Sequence, residues 1–385
     1  MSKKIYYNVD TLDKIGATIN ILYGERSNGK SYQLKHKKGI LPYLKNSSSY
    51  RRNYYDKENI IEDCIKAGTR FILLRRNKEE VSSEKVEQYL NDIDIMSLTN
   101  DEYNCFSVYK KAIYLSKYDN ETGKTKRYEK IGYVMALSTE QNYAGASYLD
   151  VHDIIFEEFM TRTVYLSGEP DKLMNLYSTI DRKRGTTRLW LVGNSISRVC
   201  PYLEDWGLMD IIRNLKQGDI RTKWISTNST DDEGRDVEVL LAIEYCRSTG
   251  NSSFAIGKHA DMLNKGDWQS DPQPHLTYSY KEYKKLFRIG FQYQSFKFLG
   301  EYLMDKDNNT VWFIYPYNRE FKKNLIVFSD IIKESNYWQK DIYNPTFKND
   351  NIRNILSTFR ESKIFYSTDL VGTDFKQAID FVIRR

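Results

Sequence analysis

The chain has 385 residues, enough for two or three domains with substantial cores; 40% of them are hydrophobic and 29% charged, and no apolar run approaches the roughly eighteen residues of a membrane span. A net charge of +6, from 58 basic and 52 acidic residues, suits a protein that meets a polyanion over part of its surface without requiring one. Cys64, Cys105, Cys200 and Cys246 lack a C-x-x-C pair, and His36, His152, His259 and His275 are scattered, which argues against a disulfide framework and a zinc site. The 31 tyrosines are explained more simply by an A·T-rich coding bias than by base stacking. Met1-Ser2-Lys3-Lys4-Ile5 has no secretory pattern, so a cytoplasmic location is expected.

In chain order, Thr18-Ile19-Asn20-Ile21-Leu22-Tyr23 reads as a buried strand. Gly24-Glu25-Arg26-Ser27-Asn28-Gly29-Lys30-Ser31 completes a G-x-x-x-x-G-K-S phosphate-binding loop, and a helix is expected to start at Ser31. The glycines let the backbone wrap an anion, Lys30 is placed to bridge the β and γ phosphates of ATP, and the Ser31 hydroxyl to hold Mg²⁺. Phe71-Ile72-Leu73-Leu74 is a second strand, ending in Arg75-Arg76. Residues 112–117 and 131–137 flank a polar tip, 120–127, and predict a projecting β-hairpin whose turn carries Lys124, Lys126 and Arg127. These three cations are candidates for contacts to a polyanion's phosphates, with a plain soluble loop as the alternative.

Residues 151–156 form another buried strand, which ends in Glu157-Glu158. The first acid suits Mg²⁺ through its water shell; the second suits orienting or deprotonating an attacking water. Residues 175–184 read as a helix that ends in a basic cluster, which the helix dipole alone would favour; the alternative is that Arg182 and Arg184 reach a ring neighbour's nucleotide as an arginine finger. A strand over 188–193 then delivers Asn194, either a γ-phosphate sensor or part of a turn. Strands alternating with helices predict an α/β fold of the P-loop NTPase (ASCE) type over residues 1–245, with a parallel sheet covered by helices. A Gly-, Ser- and Asn-rich linker follows over 246–275. A second α/β domain spans 276–385, with strands at 286–292, 296–304 and 311–315 and helices at 351–360 and 374–384. Glu301, Asp305 and Asp330 are the acids available to a nuclease there, and solvated carboxylates are the favoured reading.

The order G-E-R-S-N-G-K-S-Y, F-I-L-L-R-R, D-I-I-F-E-E-F, N-L-Y-S-T-I-D-R-K-R and L-V-G-N-S-I-S-R-V-C-P-Y resembles the DNA-encapsidation ATPases of small tailed bacteriophages. The resemblance covers about residues 15–205 and extends weakly into 287–314. It implies an ATP- and Mg²⁺-dependent motor that pumps double-stranded DNA into a prohead, as a homopentameric ring at the portal or connector vertex in the host cytoplasm. It further implies that Arg26 recurs in the loop, that Arg182 is the trans-acting finger, and that the C-terminal domain has an RNase H-like fold without cleavage activity. A packaging RNA is left open as a further partner. Glu157 stands where that family usually has Asp, one methylene shorter, and the segment 143–150 differs too much to carry over another trans-acting cation. Competing readings are a general P-loop DNA helicase or translocase and a nucleotide-gated DNA-binding scaffold. The second acid, Glu158, argues against the scaffold.

Overall fold

The computed structural model describes residues 7–25, 28–35, 70–161, 164–195, 197–230, 233–247, 272–338 and 350–382. Arg26, Ser27, His36, Arg51, Arg52, Cys64 and His259, together with most of the expected linker, lie outside the described residues. The chain packs as two compact units: residues 1–160, 165–194 and 214–267 form the first, and 161–164, 195–213 and 268–385 the second.

The first unit is built on a nine-stranded sheet. Its elements are α1 (Asp10–Lys14), β1 (Ile19–Gly24), α2 (Lys30–Leu34), β2 (Arg70–Arg75), α3 (Ser83–Leu90), α4 (Ile95–Thr99), β3 (Cys105–Tyr109), β4 (Ala112–Asp119), β5 (Lys124–Ala136), β6 (Val151–Glu157), α5 (Glu169–Asp181), β7 (Arg188–Asn194), β8 (Ile220–Thr230) and β9 (Asp236–Cys246). The strand order is β3-β4-β5-β2-β6-β7-β1-β9-β8. From β5 to β9 the neighbours run parallel, whereas the outer pairs β3·β4, β4·β5 and β8·β9 are antiparallel. All six residues of β1 are buried, as expected of a strand with helices on both faces of its sheet. Strand β7 lies between β1 and β6, with Gly24 opposite Asn194 and Glu157 opposite Val192. The phosphate loop and the acid pair therefore emerge at the same carboxyl edge of the sheet.

Local chemistry explains the helix between β6 and β7. Pro170 in the first turn of α5 has no N–H to leave unpaired, Glu169 and Asp171 complement the positive end of the dipole, and Leu173, Leu176 and Ile180 form the buried stripe. Arg182 ends it in the left-handed conformation, φ 50°.

The hairpin forms, but its turn is shorter than the sequence suggests. Asp119 Oδ1 accepts from the N–H groups of Glu121 (2.8 Å) and Thr122 (3.3 Å), and Oδ2 accepts from the Thr122 hydroxyl. This pins the reversal at 120–123, so Lys124, Lys126 and Arg127 belong to β5 rather than to the turn. Strand alternation puts Lys124 and Lys126 on one face and Arg127 on the other.

The second unit contains α6 (Pro201–Asp205), most of α7 (Met209–Asn214), β10 (Lys284–Tyr293), β11 (Phe296–Met304), β12 (Thr310–Pro316), β13 (Val327–Ser329), β14 (Tyr337–Trp338), α8 (Asp350–Glu361), β15 (Lys363–Tyr366) and α9 (Asp369–Val382). Its sheet runs β14-β13-β10-β11-β12-β15; β10, β11 and β12 are antiparallel, and the remaining pairs are parallel. Phe375 of α9 meets Phe291 and Phe298 edge-on at 5.0 and 5.4 Å and anchors the core. That helix begins at Asp369, earlier than the sequence pattern predicts, because the Thr368 hydroxyl accepts from Val371 N–H as an N-cap.

Residues 195–213, read from sequence with the first domain, group with the second unit. The buried Asp374 carboxylate accepts from the Ser197 hydroxyl, Arg198 N–H and the Arg198 guanidinium (2.8 to 3.1 Å). Among the described residues, no helix is long and apolar enough to cross a membrane.

Candidate functional site

Close approach sets the backbone of the phosphate loop. A Cβ on Gly24 would stand 2.9 Å from the Cys246 carbonyl oxygen of neighbouring β9, and Gly29 sits at φ 95°, where a side chain would strain the turn. Lys30 begins α2, and its ammonium is buried. Nζ donates to the Gly24 and Glu25 carbonyls (3.3 and 2.6 Å) and to Asn28 Oδ1 (3.1 Å). Burial holds Lys30 below its ordinary pKa. Cys246 is itself kept a neutral thiol by burial, so Glu157 and Glu25 remain as the nearby negative charges that oppose the shift.

The acids that follow β6 differ sharply. Glu157 is buried, with Oε2 accepting from the Ser31 hydroxyl (2.9 Å) and Oε1 from the Tyr89 hydroxyl (2.6 Å). Burial pushes its carboxyl above the usual range, against the opposing effects of those two hydrogen bonds and of the Arg75 and Lys35 charges. Glu158 is exposed, at φ 60°, a conformation costly for a residue with a Cβ. Two consecutive arginines at the end of β2 hold it there. Arg75 Nη2 meets its carboxylate at 3.0 Å, and Arg76 Nη1 donates to its carbonyl at 3.0 Å. Arg76 also donates to the Phe159 carbonyl and pairs with buried Glu169 through Nε, at 3.0 and 2.9 Å from its two oxygens.

A cavity of about 290 Å³ opens at this edge, lined by Asn28, Lys30, Ser31, Glu157, Glu158 and Asn194 among others. The described part of the loop, the acid pair and Asn194 are thus brought together. The remaining candidates are not. Arg182 is exposed at the amino edge of the sheet, its guanidinium donating to the Ala146 carbonyl at 2.6 Å. Because β1, β6 and β7 run parallel, that edge is opposite the chain's own phosphate loop. Arg184 differs: its guanidinium donates to the Leu149, Ile180 and Asp181 carbonyls (2.6 to 3.0 Å) and fastens the turn. Arg184 is therefore a structural residue of its own subunit, contrary to its reading as a finger.

The hairpin cations form a separate region, with Lys126 directly across from Lys117, Arg127 over the Tyr109 ring (4.4 Å) and Lys126 over Tyr128 (5.0 Å). In the second unit, Asp305 closes its own turn by accepting from Asp307 and Asn309 N–H, and Asp330 accepts from Gln294. Glu301 is not solvated as expected. It is buried in β11 against the Tyr280 hydroxyl and Lys285, so the three acids serve separate structural contacts. Among the described residues, no group of three or more His, Cys, Asp and Glu is arranged to hold a metal.

In the sequence Arg75 and Arg76 stand out only as the end of a strand, and Tyr89 and Glu169 do not stand out at all. A polar pair closing a buried apolar strand was the available signal for the arginines; nothing local marks the other two.

The family model of the podovirus DNA encapsidation protein (Gp16) matches residues 36–216. Over that stretch the chain is similar to the podovirus DNA encapsidation (Gp16) family. Two DNA packaging proteins are similar to this chain. That of Bacillus phage phi29 is 28% identical over 205 residues, 52% of this chain and 50% of the relative. That of Bacillus phage B103 is 30% identical over 173 residues, 44% and 49%. The chain spans about half the length of the curated relatives it matches. Among solved structures, the bacteriophage Phi-29 viral genome packaging motor assembly aligns with a TM-score of 0.47 at 22% identity, over 95% of this chain and 96% of that one.

Proposed function

We propose that this chain is the ATP-hydrolysing motor that drives viral double-stranded DNA into a prohead. The observation that carries the catalytic half is the 2.9 Å bond from Ser31 to Glu157: it joins the phosphate loop to the acid pair across 126 residues and puts both on the cavity. The packaging half rests on the Gp16 family match. A hydroxyl and a carboxylate are hard oxygen donors, a fit for Mg²⁺, and the glycine loop with its lysine fits a polyphosphate. Bound Mg²⁺·ATP supplies the phosphoanhydride whose cleavage powers movement.

The chain's own groups take the following roles. Lys30 leaves the loop carbonyls for the β and γ phosphates. Gly24, Asn28 and Gly29, with Arg26 and Ser27 beyond the described residues, surround them. Ser31 and Glu157 hold the metal and its waters, Glu158 orients the attacking water, and Asn194 contacts the γ-phosphate. Arg182 acts on a neighbouring subunit in a ring, which its exposure at the far edge of the sheet supports. The single strand between β1 and β6 supports an ASCE-type NTPase unit, and the order of β10 to β14 supports an RNase H-like second unit. The reading further includes a pentameric ring at the portal or connector, in the host cytoplasm, with a packaging RNA as an additional contact. Lys124 and Lys126, with Lys117 on the same face, form the DNA-facing surface, and Arg127 reaches backbone phosphates from the opposite face.

Lys30→Ala is expected to lose nucleotide binding or turnover, whereas Glu158→Gln keeps binding and loses turnover. ATP hydrolysis by Glu158→Gln at the parental rate overturns the assignment. Mixing Arg182→Ala with Glu158→Gln subunits restores activity if the finger acts in trans; no rescue in assembled rings rejects it.

A further inference from the structure

The geometry points to Tyr89 as a positioning residue for the metal-facing acid, a role that rests on the nucleotide-site reading above. Glu157 is buried between two hydroxyls that approach different oxygens, Ser31 at Oε2 and Tyr89 at Oε1. A carboxylate with one oxygen tied off cannot rotate freely about its last bond. The tie at Oε1 therefore keeps Oε2 turned toward Ser31, the second oxygen donor offered to Mg²⁺. Glutamate needs this restraint more than aspartate would, because its extra methylene adds a torsion that burial alone leaves loose.

Tyr89 is itself held. Lys35, which follows α2, donates from Nζ to the Tyr89 carbonyl at 2.7 Å, pairs with Asp92, and lies 4.4 Å from the centre of the Tyr89 ring. The helix that carries Tyr89, α3, is capped by Ser82 and fixed by buried Val86 and Leu90. The phosphoryl end of the cavity is thus braced from outside by one tyrosine, which takes its position from the helix of the phosphate loop and delivers a hydrogen bond to the acid opposite that helix. Tyr89 touches neither nucleotide nor metal in this arrangement; it acts through Glu157.

The test is Tyr89→Phe, which removes the hydroxyl and keeps the ring under Lys35. Binding of a fluorescent ATP analogue is measured in EDTA and across a Mg²⁺ titration, and turnover across the same titration. In EDTA the variant binds like the parent. Its Mg²⁺ midpoint, for binding and for turnover alike, rises about tenfold or more, and turnover recovers at saturating Mg²⁺, as expected when the support of a metal ligand is lost. In a Glu157→Ala background the same substitution leaves the midpoint where it was. A Tyr89→Phe midpoint equal to the parent's overturns the positioning role alone. A parent chain whose nucleotide binding ignores Mg²⁺ overturns the reading of the site beneath it.

Discussion

Each unit buries glutamate in its sheet, and Glu157 of the first and Glu301 of the second are wired differently. Glu301 meets a tyrosine hydroxyl and a lysine ammonium, the latter at 3.4 Å, so its charge has a partner within its own unit. Glu157 meets two hydroxyls, and its carboxyl is held above the ordinary range chiefly by burial. A buried acid in direct contact with a cation is a finished structural contact; one bonded to neutral hydroxyls, with the Arg75, Lys35 and Lys30 charges farther off, is less fully compensated. Burial alone does not tell the two apart.

The largest expected effect separates the two units by chemistry. Glu158→Gln lowers ATP turnover by about 10²- to 10⁴-fold, whereas Glu301→Gln leaves turnover unchanged and costs about 1–3 kcal/mol of stability. Steady-state hydrolysis and thermal unfolding read both, and a Glu301→Gln chain that folds normally but cannot turn over ATP breaks the contrast. Next in size is Arg76→Met, which takes the guanidinium away from buried Glu169, leaving the Leu166 N–H bond, and should cost about 3–5 kcal/mol in chemical denaturation. Turnover should fall with it, since the Glu158 carbonyl loses a donor.

A smaller effect distinguishes two arginines. Arg184→Ala frees several turn carbonyls and is expected to lose about 1–3 kcal/mol, but Arg182→Ala, exposed and singly bonded, stays within about 0.5 kcal/mol. Equal losses in denaturant melts would erase the division between them. The smallest effect is pH-dependent. Because Glu157 titrates higher in the folded chain, the native state binds more protons, and stability declines as pH rises from the ordinary value of 4.5 through the raised one. Nucleotide-free Glu157→Gln should lack that decline in calorimetry, and a parallel pH profile for the two proteins argues that the acid is not strained.

Local pattern made the phosphate loop, the strand before it and the acid pair legible, because each is a run of adjacent residues whose chemistry depends on its own order. Tyr89 and Arg75 were not legible as site residues. They reach Glu157 and Glu158 across 68 and 83 positions: the placement of β2 beside β6 brings Arg75 near, and the helix α3 that follows carries Tyr89. The hairpin cations were found but assigned to a turn, since composition cannot show that Asp119 closes the reversal before Lys124. Arg182 and Arg184 look alike in sequence. Two residues along a left-handed turn send the first outward and the second back over the carbonyls of its own chain.

Glu158 also bears on attempts to make this protein more robust. A screen that rewards thermal stability should favour Glu158→Gly, since glycine accepts φ 60° and relieves roughly 1–2 kcal/mol of backbone cost. The same change deletes the carboxylate proposed to orient water. Directed evolution for heat resistance, run without a selection for hydrolysis, would then yield tougher chains with an idle motor, and the trade between endurance and work would be located in one backbone angle.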